Sequence, residues 1–137
     1  MPSPIRVLVV EDFEPFRRVL RSALQERSDL QLVGEVSDGL EAVQTARVMQ
    51  PDLILMDIGL PTINGIEAVK RIKAESPSLK ILFVSENRHP EVVQEALSKD
   101  PGGYVLKSDV ARELVAAMQA VLEGRRFISS SLREIQN

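Results

Sequence analysis

Cysteine is absent from the 137 residues, which excludes disulfides, thiolate catalysis and Cys-based zinc sites. A single histidine, His89, leaves no multi-His metal site to build. There is no excess of positive charge: the net charge is −3 and the pI about 5.3, against nucleic-acid binding by bulk electrostatics. The N-terminus, Met1 to Arg6, lacks a basic region followed by a long apolar segment, so no signal peptide is expected. No apolar run approaches the ~20 residues that span a bilayer. No membrane association is expected, and the cytoplasm is the default location.

Hydrophobic residues at 44% and charged residues at 27% suit a soluble domain long enough for a sizeable core. The apolar residues fall into short runs, each followed by a helical pattern. Ile5 to Val10 reads as a buried β-branched strand that stops at Glu11-Asp12. Phe13, Phe16, Val19, Leu20, Ala23 and Leu24 then recur at helical spacing, with Arg17, Arg18, Arg21 and Glu26 on the other face. Leu30 to Val36 reads as a second strand, and Asp38-Gly39 turns the chain into a helix that stops before Pro51. Leu53 to Met56 is a run buried on both faces, ending at Asp57. Gly59, Pro61, Asn64 and Gly65 mark a loop, and a helix follows with Ile66, Val69 and Ile72. Ile81 to Val84 ends at Ser85, and Pro90 opens the next helix. After the Asp100-Pro101-Gly102-Gly103 turn, Tyr104 to Leu106 ends at Lys107. Ser108 or Asp109 is expected to cap the last helix, and Gly124 to stop it.

The pattern is a strand and a helix repeated five times, which predicts a parallel sheet with helices on both faces and right-handed crossovers. Strand ends then gather on one edge, the usual place for chemistry in such a sheet. That edge collects Glu11, Asp12, Asp57, Ser85 and Lys107. Carboxylates from two strand ends suit a hard cation such as Mg²⁺, which would also relieve their repulsion. With a cation there, Asp57 can act as a carboxylate nucleophile toward phosphorus, with Lys107 and Ser85 offering donors to phosphoryl oxygens. Each residue has a plainer role open to it. Glu11 and Asp12 favour a helix N-terminus, Asp57 can cap a turn, Ser85 can satisfy backbone, and Lys107 can be a solvated lysine. It is their joint occurrence at four strand ends that favours a site.

The segments VLVVED, LILMDIGLPTINGIEAV, ILFVSEN and GGYVLKSD, in that order and spacing, resemble the receiver domain of two-component response regulators. The resemblance covers Ile5 to Gly124 and implies a flavodoxin-like, doubly wound α/β fold with a five-stranded parallel sheet and five helices. It implies residues 1–124 as the receiver and 125–137 as a tail or the start of a linker. It further implies Asp57 as phosphoacceptor, Asp12 as direct Mg²⁺ ligand, Glu11 as water-mediated partner and the Gly59 carbonyl as another ligand. Ser85 and Lys107 would contact the phosphoryl group, and Tyr104 would move inward as Ser85 is drawn toward it. The donor would be a phosphohistidine on a sensor histidine kinase. The protein would be a switch rather than an enzyme acting on other substrates.

GGYVLKSD and GRRFISSSL resemble the subgroup whose receiver precedes a helix-turn-helix DNA-binding domain. Contact with DNA would run through that output domain, which does not follow Asn137 in this sequence. An excised receiver and a stand-alone one both remain open. A homodimer is a further expectation, through the last helix or the Glu91-to-Lys99 helix. Two features depart from the family pattern. Glu86 follows the switch serine where a small or uncharged residue is usual, which bears on the phosphorylation rate. Asp100-Pro101-Gly102 replaces a small Gly-Ala-type turn and would stiffen that loop. Three rivals are weaker or narrower. A haloacid-type hydrolase should carry a second acid two residues after its nucleophile, where Gly59 stands. A dinucleotide-binding domain should have a glycine-rich loop where Glu11-Asp12-Phe13-Glu14 stands. A receiver-fold interaction module not regulated by phosphorylation is the main alternative.

Overall fold

The computed structural model describes residues 3–98 and 102–136. The expected turn at Asp100-Pro101, and Lys99 at the end of the expected fourth helix, lie outside the described residues. The chain forms two compact units, Met1–Leu79 and Lys80–Asn137.

In the first unit β1 (Ile5–Val10), β2 (Leu30–Val36) and β3 (Leu53–Met56) are parallel in the order β2-β1-β3. They alternate with α1 (Glu14–Gln25), α2 (Gly39–Met49) and α3 (Gly65–Glu75). The central strand β1 and its neighbour β3 are the apolar runs, and Val7 to Val10 and Leu53 to Met56 are all buried. β2, paired on one side here, is mostly half-buried and slips register between Leu32 and Gly34. The β1–β3 register sets Val10 opposite Met56, so Glu11 and Asp57 leave their strands at the same level.

The α1 stripe needs one correction. Leu20 and Leu24 are buried, but Phe13 is 60% exposed and Val19 is also exposed. Phe13 precedes the helix in an extended conformation, so helical spacing does not apply to it. Val19 lies about 120° round the helix from the centre of the Leu20–Leu24 face. Arg17 and Arg21 are half-buried instead. Arg21 makes a two-pronged pair with Glu35 of β2, at 2.7 and 2.8 Å.

The second unit holds β4 (Lys80–Ser85), β5 (Gly103–Leu106) and β6 (Phe127–Ile128), parallel in the order β4-β5-β6. Its helices are α4 (Pro90–Leu97), α5 (Val110–Leu122) and α6 (Ser130–Gln136), with a 3₁₀ turn at Lys107–Asp109 before α5. The described residues therefore contain six strands and six α-helices, not five of each. The additional pair lies in the stretch 125–137. A two-residue strand gives no periodicity to read, and it forms by pairing with β5 rather than from its own propensity. Gly124 ends α5 as expected, with φ of +80° and the Arg125 amide folding back to the Ala120 carbonyl at 2.8 Å. Asp109 does not cap α5 with its side chain. It turns toward the stretch after Gly124.

Candidate functional site

The carboxyl end of β1 and β3 carries an acidic cluster. Glu11, Asp12 and Asp57 each offer a carboxylate oxygen, and these oxygens lie within 4.8 Å of one another. Backbone geometry enforces the approach. The Asp57 amide donates to the Val10 carbonyl at 3.0 Å, and the Glu11 amide to the Val36 carbonyl at 2.9 Å. Glu11 is fully buried and Asp57 is 7% exposed, whereas Asp12 faces solvent. Phe13 N donates to Glu11 Oε2 at 3.0 Å, and Ile58 N donates to Asp57 Oδ1 at 2.7 Å. Two carboxylates ~5 Å apart repel by about 3 kcal/mol at an effective dielectric near ~20. An all-oxygen donor set of this charge, part buried and part open, fits a hard divalent cation that keeps some of its water.

The loop after Asp57 is built to let backbone pass close to backbone. A Cβ on Gly65 would lie 1.9 Å from the Asp57 carbonyl oxygen, so only glycine fits. Gly65 N closes the loop on the Ile58 carbonyl at 2.8 Å, and Asn64 caps α3 through Glu67 N at 2.9 Å. On the other side the loop rests on the start of α2. Gly39 N donates to the Pro61 carbonyl at 3.2 Å, and Thr62, at a left-handed φ of 73°, bonds through its hydroxyl to Asp38. Asp38 also caps α2, accepting from Leu40 N and Glu41 N at 2.8 and 3.0 Å. Gly59 is exposed and a Cβ there would meet nothing, so nothing steric demands glycine at that position.

The second unit places Ser85, Tyr104 and Lys107. Ser85 is buried at the end of β4 and its Oγ accepts from Asn87 N at 3.1 Å. Tyr104 is already inward and fully buried, with its ring 6.1 Å from that of Phe83. Its hydroxyl donates to the Asn87 carbonyl at 2.7 Å. Asn87 therefore touches both expected switch residues. Its own side chain accepts from His89 N at 2.9 Å, making a tight turn ahead of α4. Lys107 is half-buried at the start of the 3₁₀ turn. Glu86 is exposed, while its neighbour Arg88 reaches Ser108 Oγ at 3.4 Å.

Residues 7–119 match the response regulator receiver domain family. The chain belongs to that family. The receiver is 34% identical over 128 residues to the transcriptional regulatory protein LnrK of Bacillus subtilis, covering 93% of this chain and 58% of LnrK. A solved two-component response regulator of the LuxR family from Aurantimonas sp. superposes with a TM-score of 0.90 at 32% identity, covering 96% of this chain and 94% of the other. The response regulator domain of Thermotoga maritima CheB gives 0.81 at 33% identity, covering 88% and 97%. This receiver thus has the α/β flavodoxin-like fold of the family, and it functions in two-component signalling. It spans about three-fifths of the length of its curated relatives, 58% of LnrK and 61% of the regulator GacA of Pseudomonas viridiflava.

Of the expected site residues, the receiver brings Glu11, Asp12 and Asp57 together, and links Ser85 and Tyr104 through Asn87. The sequence signal for Asn87 is only a Ser-x-Asn after a buried strand, which marks a turn and not a link between Ser85 and Tyr104. The close pass of Gly65 under Asp57 left no signal beyond the glycine itself. Among the described residues no helix is long and apolar enough to cross a membrane.

Proposed function

We propose that this receiver accepts a phosphoryl group on Asp57 from a phosphohistidine of a sensor histidine kinase and passes the change to a transcriptional output. The observation that carries this reading is the convergence of Glu11, Asp12 and Asp57 at matched strand ends. An Asp57 carboxylate oxygen forms a bond to phosphorus while the phosphorus–nitrogen bond to the imidazole breaks, and the leaving imidazole takes up a proton. Hydrolysis reverses the state: water attacks phosphorus, the bond to the Asp57 oxygen breaks, and inorganic phosphate leaves. Asp12 and Asp57 would hold Mg²⁺ directly, with Glu11 acting through water and Gly59 through its carbonyl. The ion would neutralise charge on the phosphoryl oxygens. Lys107 supplies a point charge and Ser85 a hydroxyl to those oxygens, and neither bond needs the protein to change protonation.

Ser85 and Tyr104 form the read-out. Both bond to Asn87, so drawing Ser85 Oγ toward a phosphoryl oxygen breaks its bond from Asn87 N and loosens the turn that holds the Tyr104 hydroxyl. Output as transcription is supported by LnrK, which is named a transcriptional regulatory protein. A DNA-binding output domain, a homodimer and a cytoplasmic location go with that reading. The test is incubation with acetyl phosphate and Mg²⁺, followed by intact-mass spectrometry. Wild type should gain one phosphoryl group and Asp57→Asn none. Wild type that stays unmodified, with the fold intact, would favour an interaction module not regulated by phosphorylation.

A further inference from the structure

The residues after Gly124 return to β5, the strand that ends just before Lys107. Phe127 and Ile128 pair with Gly103 and Tyr104, and Ser129 N donates to the Tyr104 carbonyl at 2.9 Å. In a parallel ladder the next donor is Leu106 N, and its acceptor would be the carbonyl of residue 129. Here β6 ends at Ile128 and the chain turns into α6 at Ser130. Leu106 N, on a buried residue, goes to the Ser129 hydroxyl instead, at 3.2 Å. A buried amide without an acceptor is costly, and the side chain supplies one where the ladder stops.

The same hydroxyl serves a second purpose. Ser129, itself fully buried, donates to Asp109 Oδ2 and lies 2.8 Å from Glu113 Oε1. Asp109, 2% exposed, is further held by Arg112 at 2.6 Å and by the Ser131 hydroxyl at 3.2 Å. Ser130 N donates to Glu113 at 3.3 Å. One oxygen atom therefore ties down Leu106, immediately before Lys107, and Asp109, two residues after it. Lysine has a long flexible stem, so the place from which its ammonium can work is set by the backbone that carries it. Transfer to phosphorus is sensitive to such placement, because positioning and electrostatics supply most of the catalysis.

We propose that Ser129 is a positioning residue for phosphoryl transfer: its hydroxyl holds the Leu106 amide on one side of Lys107 and the Asp109 carboxylate on the other, and so fixes the lysine's reach. The inference rests on the reading of Lys107 as a phosphoryl contact. It also makes the stretch after Gly124 a working part of the receiver.

The test measures phosphorylation by acetyl phosphate in wild type, Lys107→Ala, Ser129→Ala and Ser129→Thr, all well below their melting temperatures. Exchange of the Leu106 amide is followed by NMR in the same samples. Ser129→Ala should lose about tenfold in rate, part of the ~100-fold that an ångström of misplacement can cost. Its Leu106 amide should exchange faster, and Ser129→Thr, which keeps the hydroxyl, should restore both. A purely structural serine would change the melting temperature and the exchange but not the rate of the folded protein, and that result overturns the proposal. If Lys107→Ala phosphorylates as wild type does, the reading of Lys107 fails and takes this inference with it. If Lys107→Ala is slow while Ser129→Ala is not, only the clamp is wrong. Should Ser129→Ala fail to fold, Asp109→Asn weakens the same bond with the shape kept, and should show a smaller loss in rate. An Asp109→Asn rate equal to wild type would then reject the clamp.

Discussion

The receiver has two clusters of acids, and they are built in opposite ways. At the end of β1 and β3, Glu11, Asp12 and Asp57 converge on one another, and backbone amides donate to Glu11 and Asp57. Between β5, α5 and β6, Asp109 and Glu113 converge on a serine hydroxyl, with Arg112, Ser131 and Ser130 N filling the remaining positions. The first arrangement concentrates negative charge with an open side at Asp12. The second spends its charge on donors from its own chain. Proximity of carboxylates alone is therefore a poor guide to a cation site. At the second cluster the side-chain donors Ser129, Arg112 and Ser131 are folded in among the acids.

The comparison would break most visibly at the metal. Chelation with EDTA, or Asp12→Ala, should slow phosphorylation of Asp57 by at least ~100-fold, several kcal/mol of lost charge stabilisation, as a bound divalent ion supplies in phosphoryl transfer. Unchanged transfer rates from acetyl phosphate in EDTA would remove the cation from the first cluster. Next in size is Gly65→Ala. With a backbone oxygen 1.9 Å from the new Cβ, the Asp57 loop must move, and urea denaturation should show a loss of about 3 kcal/mol or more.

A sharper contrast comes from neutralising one acid in each cluster under chelating conditions. Asp57→Asn removes repulsion and keeps an acceptor for Ile58 N, so it should stabilise the fold by about 1 kcal/mol. Asp109→Asn weakens bonds from Ser129, Arg112 and Ser131 and should destabilise it by about 1–3 kcal/mol. Denaturant midpoints moving in the same direction for both would show that the clusters are not different in kind.

The smallest effect is in acid. Burial alone would raise the carboxyl of Asp109, but its bonds from Ser129, Ser131 and Arg112 outweigh that and hold it below the usual range. Burial likewise works against Glu113, and its bonds from Ser130 and Ser129 bring it below its ordinary value. Both groups bind protons less readily folded than unfolded. Their contribution is therefore complete above the unfolded values of about 4 to 4.5 and is lost as pH falls through the lower folded values. Between pH 7 and pH 3 the stability of Asp109→Asn should fall less steeply than that of wild type, as measured by urea melts at each pH.

The first cluster was legible in the sequence because strand ends are. A run such as LILM declares its own end, and a parallel register then carries Asp57 to the level of Glu11. The second cluster was not legible. Asp109 and Ser129 stand 20 residues apart, and nothing in GRRFISSSL announces a strand until β5 offers an edge to pair with. Asp109 has the residue type and position of a helix cap, and only the return of the chain draws its side chain away. Phe13 shows the same limit from the other side, since its spacing suggested burial but it sits one step outside the helix that the spacing describes. Local pattern tells where elements begin and end; which buried polar groups meet depends on chain segments that have almost no pattern of their own.

The short strand β6 has one more consequence, for handling the protein. β5 lies between β4 and β6, so its outer row of amides and carbonyls is covered by the two residues of β6 and by Ser129 beyond them. A chain shortened to Gly124 would turn the apolar run Gly-Tyr-Val-Leu into an open strand edge, the kind of surface that templates edge-to-edge aggregation. Solubility, before signalling, is what such a truncation should cost.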